Sequence, residues 1–187
     1  AIVTRGDPLE DLSSVGDAAN PQDKGRLSVY GLTKLLMECH VQFDVVEAEA
    51  EFEHYRLLVL ADDLFVDNAL AERLQRYLAA GGAILASKDG LRNAESGEIW
   101  ASELGLTYRG ESPFAPAYLK LEMDWVSDEL PDYEYALYEG SAQWEISRPE
   151  VACAKLGEPL FQRGAQHYTS HAQTPFDHLT NYAAVVQ

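Results

Sequence analysis

The sequence predicts an α/β fold with a doubly wound, mostly parallel sheet and a β-rich C-terminal extension. Three observations carry this reading. Two short apolar runs, Leu57-Leu58-Val59-Leu60-Ala61 and Ala83-Ile84-Leu85-Ala86-Ser87, flank one amphipathic segment. A glycine pair, Gly81-Gly82, separates that segment from the second run. Beyond about Ser112 helical patterns give way to Pro113, Pro116, Pro131, Pro149, Pro159 and Pro175 among many aromatics. The residues therefore divide into an α/β core at 1–112 and a β-rich extension of the same domain at 113–187.

Taken in order, Ile2-Val3-Thr4 reads as a short strand, and the polar stretch from Asp7 to Lys24 as a long surface loop. From Leu27 to Cys39, apolar Leu27, Tyr30, Leu32, Leu35, Leu36 and Cys39 suit a helix with one broad buried face. Phe43-Asp44-Val45-Val46 follows as a strand. The run at 57–61 has the continuous apolar character of a parallel strand covered on both faces. Asp67 is the expected N-cap of a helix with Leu70, Leu74, Tyr77 and Leu78 on one face. Glu72 and Arg76 stand four apart on its exposed side, as an ion pair would. Gly81-Gly82 ends that helix, since glycine accepts the left-handed C-cap conformation. Strand, helix and strand make a βαβ unit, the building block of a wound sheet. In the later region Tyr133 to Tyr138, Gln143 to Ile146, Val151 to Ala154 and Pro159 to Phe161 are strand candidates that can extend the sheet. Glu139-Gly140-Ser141 is a turn between the first two.

Composition narrows the function. The chain has 187 residues, 14 basic and 31 acidic, for a net charge of −17. Such a surface repels phosphate backbones and anionic lipid headgroups, so neither nucleic acid nor a membrane is an expected partner. No run approaches the roughly 18 apolar residues of a membrane span, and the cytoplasm is the expected compartment. Cys39 and Cys153 stand in a helical and a strand-like pattern, outside any metal spacing, and both are expected to be buried as small apolar residues. Ala1-Ile2-Val3-Thr4 already reads as a strand and Tyr182 to Gln187 stops inside an apolar run, so both ends read as cut from a longer chain.

Ligand sites of a wound sheet lie at the C-terminal ends of its strands. The turn Ala86-Ser87-Lys88-Asp89-Gly90 has the outline of a nucleophile elbow, small-x-nucleophile-x-Gly. Its central position holds Lys88, which cannot act as serine or cysteine would, and Ser87 is out of register. The expectation is a degenerate elbow with no catalytic residue. The glycines form no phosphate-binding loop, so no cofactor is expected. The densest polar cluster runs from Arg163 to Pro175 and includes His167, Tyr168 and His171. Two imidazoles without a clear third ligand make a poor metal site, and no metal is expected. Ser87, Lys88, Arg163, His167, Tyr168 and His171 remain as candidates for loops that face a carbohydrate, against a purely structural role in satisfying backbone groups.

These residues also resemble a family. Tyr30-Gly31-Leu32-Thr33-Lys34-Leu35-Leu36, His40 to Val46, Tyr55-Arg56-Leu57 to Ala61, Leu70 to Tyr77 and Gly81-Gly82-Ala83 to Ala86 are similar to the β-galactosidase trimerisation domain. This is the middle domain of family 42 glycoside hydrolases and related glycosyl hydrolases. Arg163 to Pro175 and the closing Ala183-Val185-Val186 look similar to glycosyl hydrolases that carry this domain after a catalytic barrel. The resemblance implies a class I glutamine amidotransferase-like, flavodoxin-like fold and a non-catalytic accessory or oligomerisation role. It implies as partners the protein's own catalytic barrel, other subunits of a homo-oligomer such as a trimer, and a carbohydrate at the rim. Two alternatives stand beside it. One is a small stand-alone hydrolase using Ser87 or Cys153 with His167 or His171. The other is a carbohydrate-binding module with Trp125 and Trp144 as stacking platforms.

Overall fold

In the computed structural model, which describes residues 1–5, 24–62, 64–121, 130–171 and 173–187, four short strands pair in parallel. They are β1 (Ile2–Thr4), β2 (Val45–Glu47), β3 (Leu57–Leu60) and β4 (Ala83–Ala86), in the order β2-β1-β3-β4. Register is set by Ile2 opposite Val45 and Val59, and by Leu58 opposite Ile84. Ile2, Val3, Leu58, Val59 and Leu60 are all buried. This is the signature of strands covered on both faces, and each such aliphatic side chain contributes about 1.5–3 kcal/mol. Helix α1 (Lys24–Glu38) packs Val29 against Ile2, Val59 and Ala61, with Leu32 and Leu36 beside it. The expected broad apolar face is narrower in fact. Tyr30 and Leu35 are exposed, because the stripe through Val29, Leu32 and Leu36 alone faces the sheet. The helix also ends at Glu38, so Cys39 lies in the turn beyond it and is exposed rather than buried. The polar stretch before Lys24 lies outside the described residues.

Helix α2 (Asn68–Ala79) connects β3 to β4 and is framed as its sequence dictates. Asp67 Oδ1 accepts the Leu70 N–H at 2.8 Å, and its other carboxylate oxygen pairs with Arg5 Nη2 at 2.7 Å. At the other end the Gly81 N–H donates to Leu78 O and the Gly82 N–H to Tyr77 O, a Schellman closure with Gly81 at φ 92°. Leu70, Ala71, Leu74 and Tyr77 are buried, but Leu78 is exposed. The Glu72–Arg76 pair does not form, and Arg76 turns instead toward a cleft described below.

The Leu70 N–H and then Arg5 hold the Asp67 carboxyl below the usual carboxylate range. Its stabilisation is therefore complete above the unfolded value of about 4 and is lost as pH falls through the lowered folded value. Asp67→Ala is expected to cost about 1 kcal/mol at pH 7, read from urea midpoints. The difference from wild type should shrink as pH falls through that lowered value, and a pH-independent difference would contradict the cap.

The chain divides into two compact units, Ala1–Ala101 and Ser102–Gln187. The second unit is a six-stranded antiparallel sheet with its own core, and it does not extend the first sheet. Its strands are β5 (Leu106–Glu111), β6 (Ala117–Leu121), β7 (Glu134–Leu137), β8 (Ala142–Ile146), β9 (Ala152–Pro159) and β10 (Phe176–Val186), in the order β5-β8-β10-β9-β6-β7. The expected fragment at Val151 to Ala154 opens one long strand, β9, which ends at Pro159, so the fragment expected at Pro159 to Phe161 lies almost wholly beyond it. Gly140, at φ 78°, makes the expected turn, yet β7 and β8 do not pair: β7 joins β6, while β8 lies between β5 and β10. Ala117, Tyr118, Trp144, Cys153, Ala154, Leu156 and Ala183 are buried. A Cβ on Gly157 would fall 2.7 Å from the Phe176 ring, so glycine there lets Phe176 and Tyr118 meet edge to face at 5.7 Å. Among the described residues no helix is long and apolar enough to cross a membrane.

Candidate functional site

The strand ends of the first sheet place Ser87 and Lys88 in a tightly stitched turn. Lys88 opens a 3₁₀ turn, Lys88–Leu91, at φ 43°, a left-handed backbone position that non-glycine residues seldom occupy. Ser87 Oγ donates to the Asp62 carboxylate at the end of β3, and the Asp89 N–H donates to Asp62 O at 3.0 Å. The Trp100 indole N–H donates to Gly90 O at 2.9 Å, fixing the far side. Gly90 fits closely: a Cβ would stand 3.1 Å from both Ala61 O and Leu60 Cβ, tighter than an ordinary contact. The backbone thus has the sharp strand-to-turn bend of an elbow. Its central side chain is an ammonium, and the neighbouring hydroxyl is committed to a carboxylate rather than to an imidazole base.

The second unit holds the other candidates on one exposed loop. Its base is closed by the Leu160 N–H to Pro175 O at 2.9 Å and by Tyr118 Oη to Thr174 O. Within it the Arg163 guanidinium stands 5.8 Å from the Tyr168 ring centre, and His167 lies 5.4 Å from Phe161. The Gly164 N–H donates to His167 O at 2.9 Å, and Thr169 Oγ1 to His171 O at 2.9 Å. Tyr168 is 75% exposed, so an aromatic face with an adjacent guanidinium is offered to solvent. Among the described residues no group of three or more His, Cys, Asp and Glu is placed to hold a metal ion.

Two other candidates behave differently. Cys153 is buried in β9, its thiol 3.6 Å from Val151 O. Trp144 is buried and packs on Tyr108 at 5.2 Å between ring centres, so it belongs to the core rather than to a stacking platform. Trp125 lies outside the described residues.

The sequence reading missed an arginine-lined feature of the first unit. A surface cleft of about 510 Å³ is lined by Phe52, Tyr55, Arg56, Arg73, Arg76 and Tyr77, with Glu53 as its carboxylate. Arg73 is held in place: it donates to Ala48 O and Ala50 O and lies 4.6 Å from the Phe52 ring centre. Tyr77 Oη donates to Tyr55 O at 3.0 Å. Burial raises both phenols above their usual range, Tyr55 also through its hydrogen bond to Asp44, so both remain neutral donors. A Cβ on Gly82 would fall 2.2 Å from the Tyr77 ring, which shows how closely that ring lies over the strand entry. The only sequence signal for this cleft is a set of arginines on separate elements, and spacing alone does not collect them.

No curated protein matches the chain. Among solved structures, α-L-fucosidase isoenzyme 2 from Paenibacillus thiaminolyticus matches over 100% of this chain and 27% of its own, at 23% identity and a TM-score of 0.77. A β-galactosidase from Rahnella sp. R3 matches over 86% of this chain and 25% of its own, at 15% identity and a TM-score of 0.59. One from Bacillus circulans sp. alkalophilus matches over 86% and 25%, at 16% identity and a TM-score of 0.57. At such identities the likeness is one of fold, and this chain spans about a quarter of each of those proteins. A family model described as the beta-galactosidase trimerisation domain matches residues 33–102. The matched stretch runs from within α1 to beyond β4 and takes in the residues of the arginine cleft, so over that stretch the chain is similar to the β-galactosidase trimerisation domain.

Proposed function

We propose that this chain is the non-catalytic assembly domain of a β-galactosidase-like glycoside hydrolase, and that a catalytic barrel elsewhere in the same polypeptide supplies the chemistry. The match of residues 33–102 to the trimerisation domain carries this reading. The strand order β2-β1-β3-β4 agrees with the opening of a flavodoxin-like wound sheet, and supports the amidotransferase-like fold that the resemblance implies. Lys88 at a left-handed elbow fits a site of that fold without its nucleophile. A stand-alone hydrolase is disfavoured by the commitment of Ser87 to Asp62 and by the burial of Cys153. The loops bearing Ser87 and Lys88, and those bearing Arg163, His167, Tyr168 and His171, are the proposed carbohydrate-facing rim. Free thiols at both cysteines are in keeping with a cytoplasmic enzyme.

Light scattering on the complete polypeptide that contains residues 1–187 tests the reading. The expected mass is three times that of one subunit at micromolar concentration. A monomer throughout that range would remove the assembly role.

A further inference from the structure

We propose that the arginine cleft is a subunit contact that takes carboxylates from a neighbouring copy of this chain. The inference rests on the assembly reading above and adds the surface and its chemistry. Three of the chain's 14 basic residues line this one cleft, against a single carboxylate, Glu53, while the whole carries a net charge of −17. Among the described residues, no carboxylate lies within ion-pair distance of Arg56 or Arg76. Among the described residues, then, two guanidiniums go without an ion pair although the sequence is rich in carboxylates.

The surroundings suit a protein partner. Arg and Tyr dominate the wall, with Phe52 beneath Arg73, and these residue types are enriched where interfaces concentrate their binding energy. Arg73 is fixed by two carbonyls and a ring, and Tyr77 by Tyr55 O, so the wall is ordered before anything binds. The planar guanidinium fork matches a carboxylate with two parallel hydrogen bonds.

Symmetry explains why such a cleft is needed. Copies of a strongly acidic chain repel one another unless a region of opposite charge meets the acidic surface of the next copy. A three-fold ring is built from head-to-tail contacts, in which two different faces meet. An arginine cleft on one copy and carboxylates on the next satisfy that geometry and steer the encounter.

The test uses the complete polypeptide containing this chain, with Arg56→Glu and Arg76→Glu combined, and Arg56→Gln with Arg76→Gln as the milder pair. Arg56→Lys with Arg76→Lys keeps the charge. Light scattering across a dilution series at low and high NaCl reads the assembly, and circular dichroism confirms folding. The Glu pair should raise the dissociation constant of the trimer at least about tenfold, the Gln pair less, and the Lys pair least. The wild-type trimer should weaken with salt, and the Glu pair should lose most of that dependence. A trimer equally tight in folded Glu and Gln variants would overturn the inference and leave the assembly reading standing. A trimer of unchanged affinity but lower melting temperature would assign the cleft to another stretch of the same polypeptide, which also overturns it. A monomeric wild type would defeat the assembly reading itself.

Discussion

Trp144→Ala is expected to cost about 3–5 kcal/mol, the range for removing a large aromatic from a core. Trp144 sits on β8 opposite Ala183 of β10 on one side and Tyr108 of β5 on the other. Its ring packs on Tyr108, and little of it meets solvent. Truncation would leave a void at the junction of three strands, which the rigid backbone ladder cannot close. Set against a domain stability of about 5–15 kcal/mol, such a loss brings the unit near its unfolding threshold at body temperature. The measurement is urea unfolding followed by far-ultraviolet circular dichroism. The outcome also decides what the residue is for. A stacking platform for sugars would lose ligand affinity on truncation and keep its stability, the reverse of the result expected here.

The second large effect belongs to α2. Leu74→Ala should cost about 2–5 kcal/mol, because the side chain is fully buried and its loss leaves a cavity between helix and sheet. Leu78→Ala, one turn later, should cost only about 0.5 kcal/mol, as expected of a surface site. Comparing the two midpoints separates packing from helix propensity, since the change in residue type is the same. Equal losses would mean that Leu78 is covered in solution, for instance by another subunit.

That pair also shows how far the sequence could be read. Leu70, Leu74, Tyr77 and Leu78 share one helical stripe on paper, and periodicity cannot tell where the covering sheet ends. The edge strand β4 explains the difference, for among the described residues no further strand continues the sheet beyond it. The β3-α2-β4 unit itself was legible because each signal is local: an apolar run, an Asp cap and a glycine closure. The C-terminal strands were harder. β9 and β10 pair with several register shifts, which break the alternation that marks a strand. The longest strand, β10, therefore shows as an apolar ending only. The partners of β7 and β8 depend on contacts distant in sequence, so a correct turn between them suggested nothing of their places in the sheet. The candidate loops were legible as polar and aromatic clusters. The arginine cleft was not, because Arg56 precedes β3 while Arg73 and Arg76 lie on α2, and Glu72 offered Arg76 a nearer partner that the fold declines.

The premature end of α1 has a practical meaning as well. By leaving Cys39 in the open turn while Cys153 stays within the second sheet, it separates two thiols that composition treats as equivalent. A fluorophore or spin label supplied as a maleimide should attach to the first and pass over the second. The chain thereby comes with its own attachment point, outside the arginine cleft, from which distances between subunits could be measured without altering a residue.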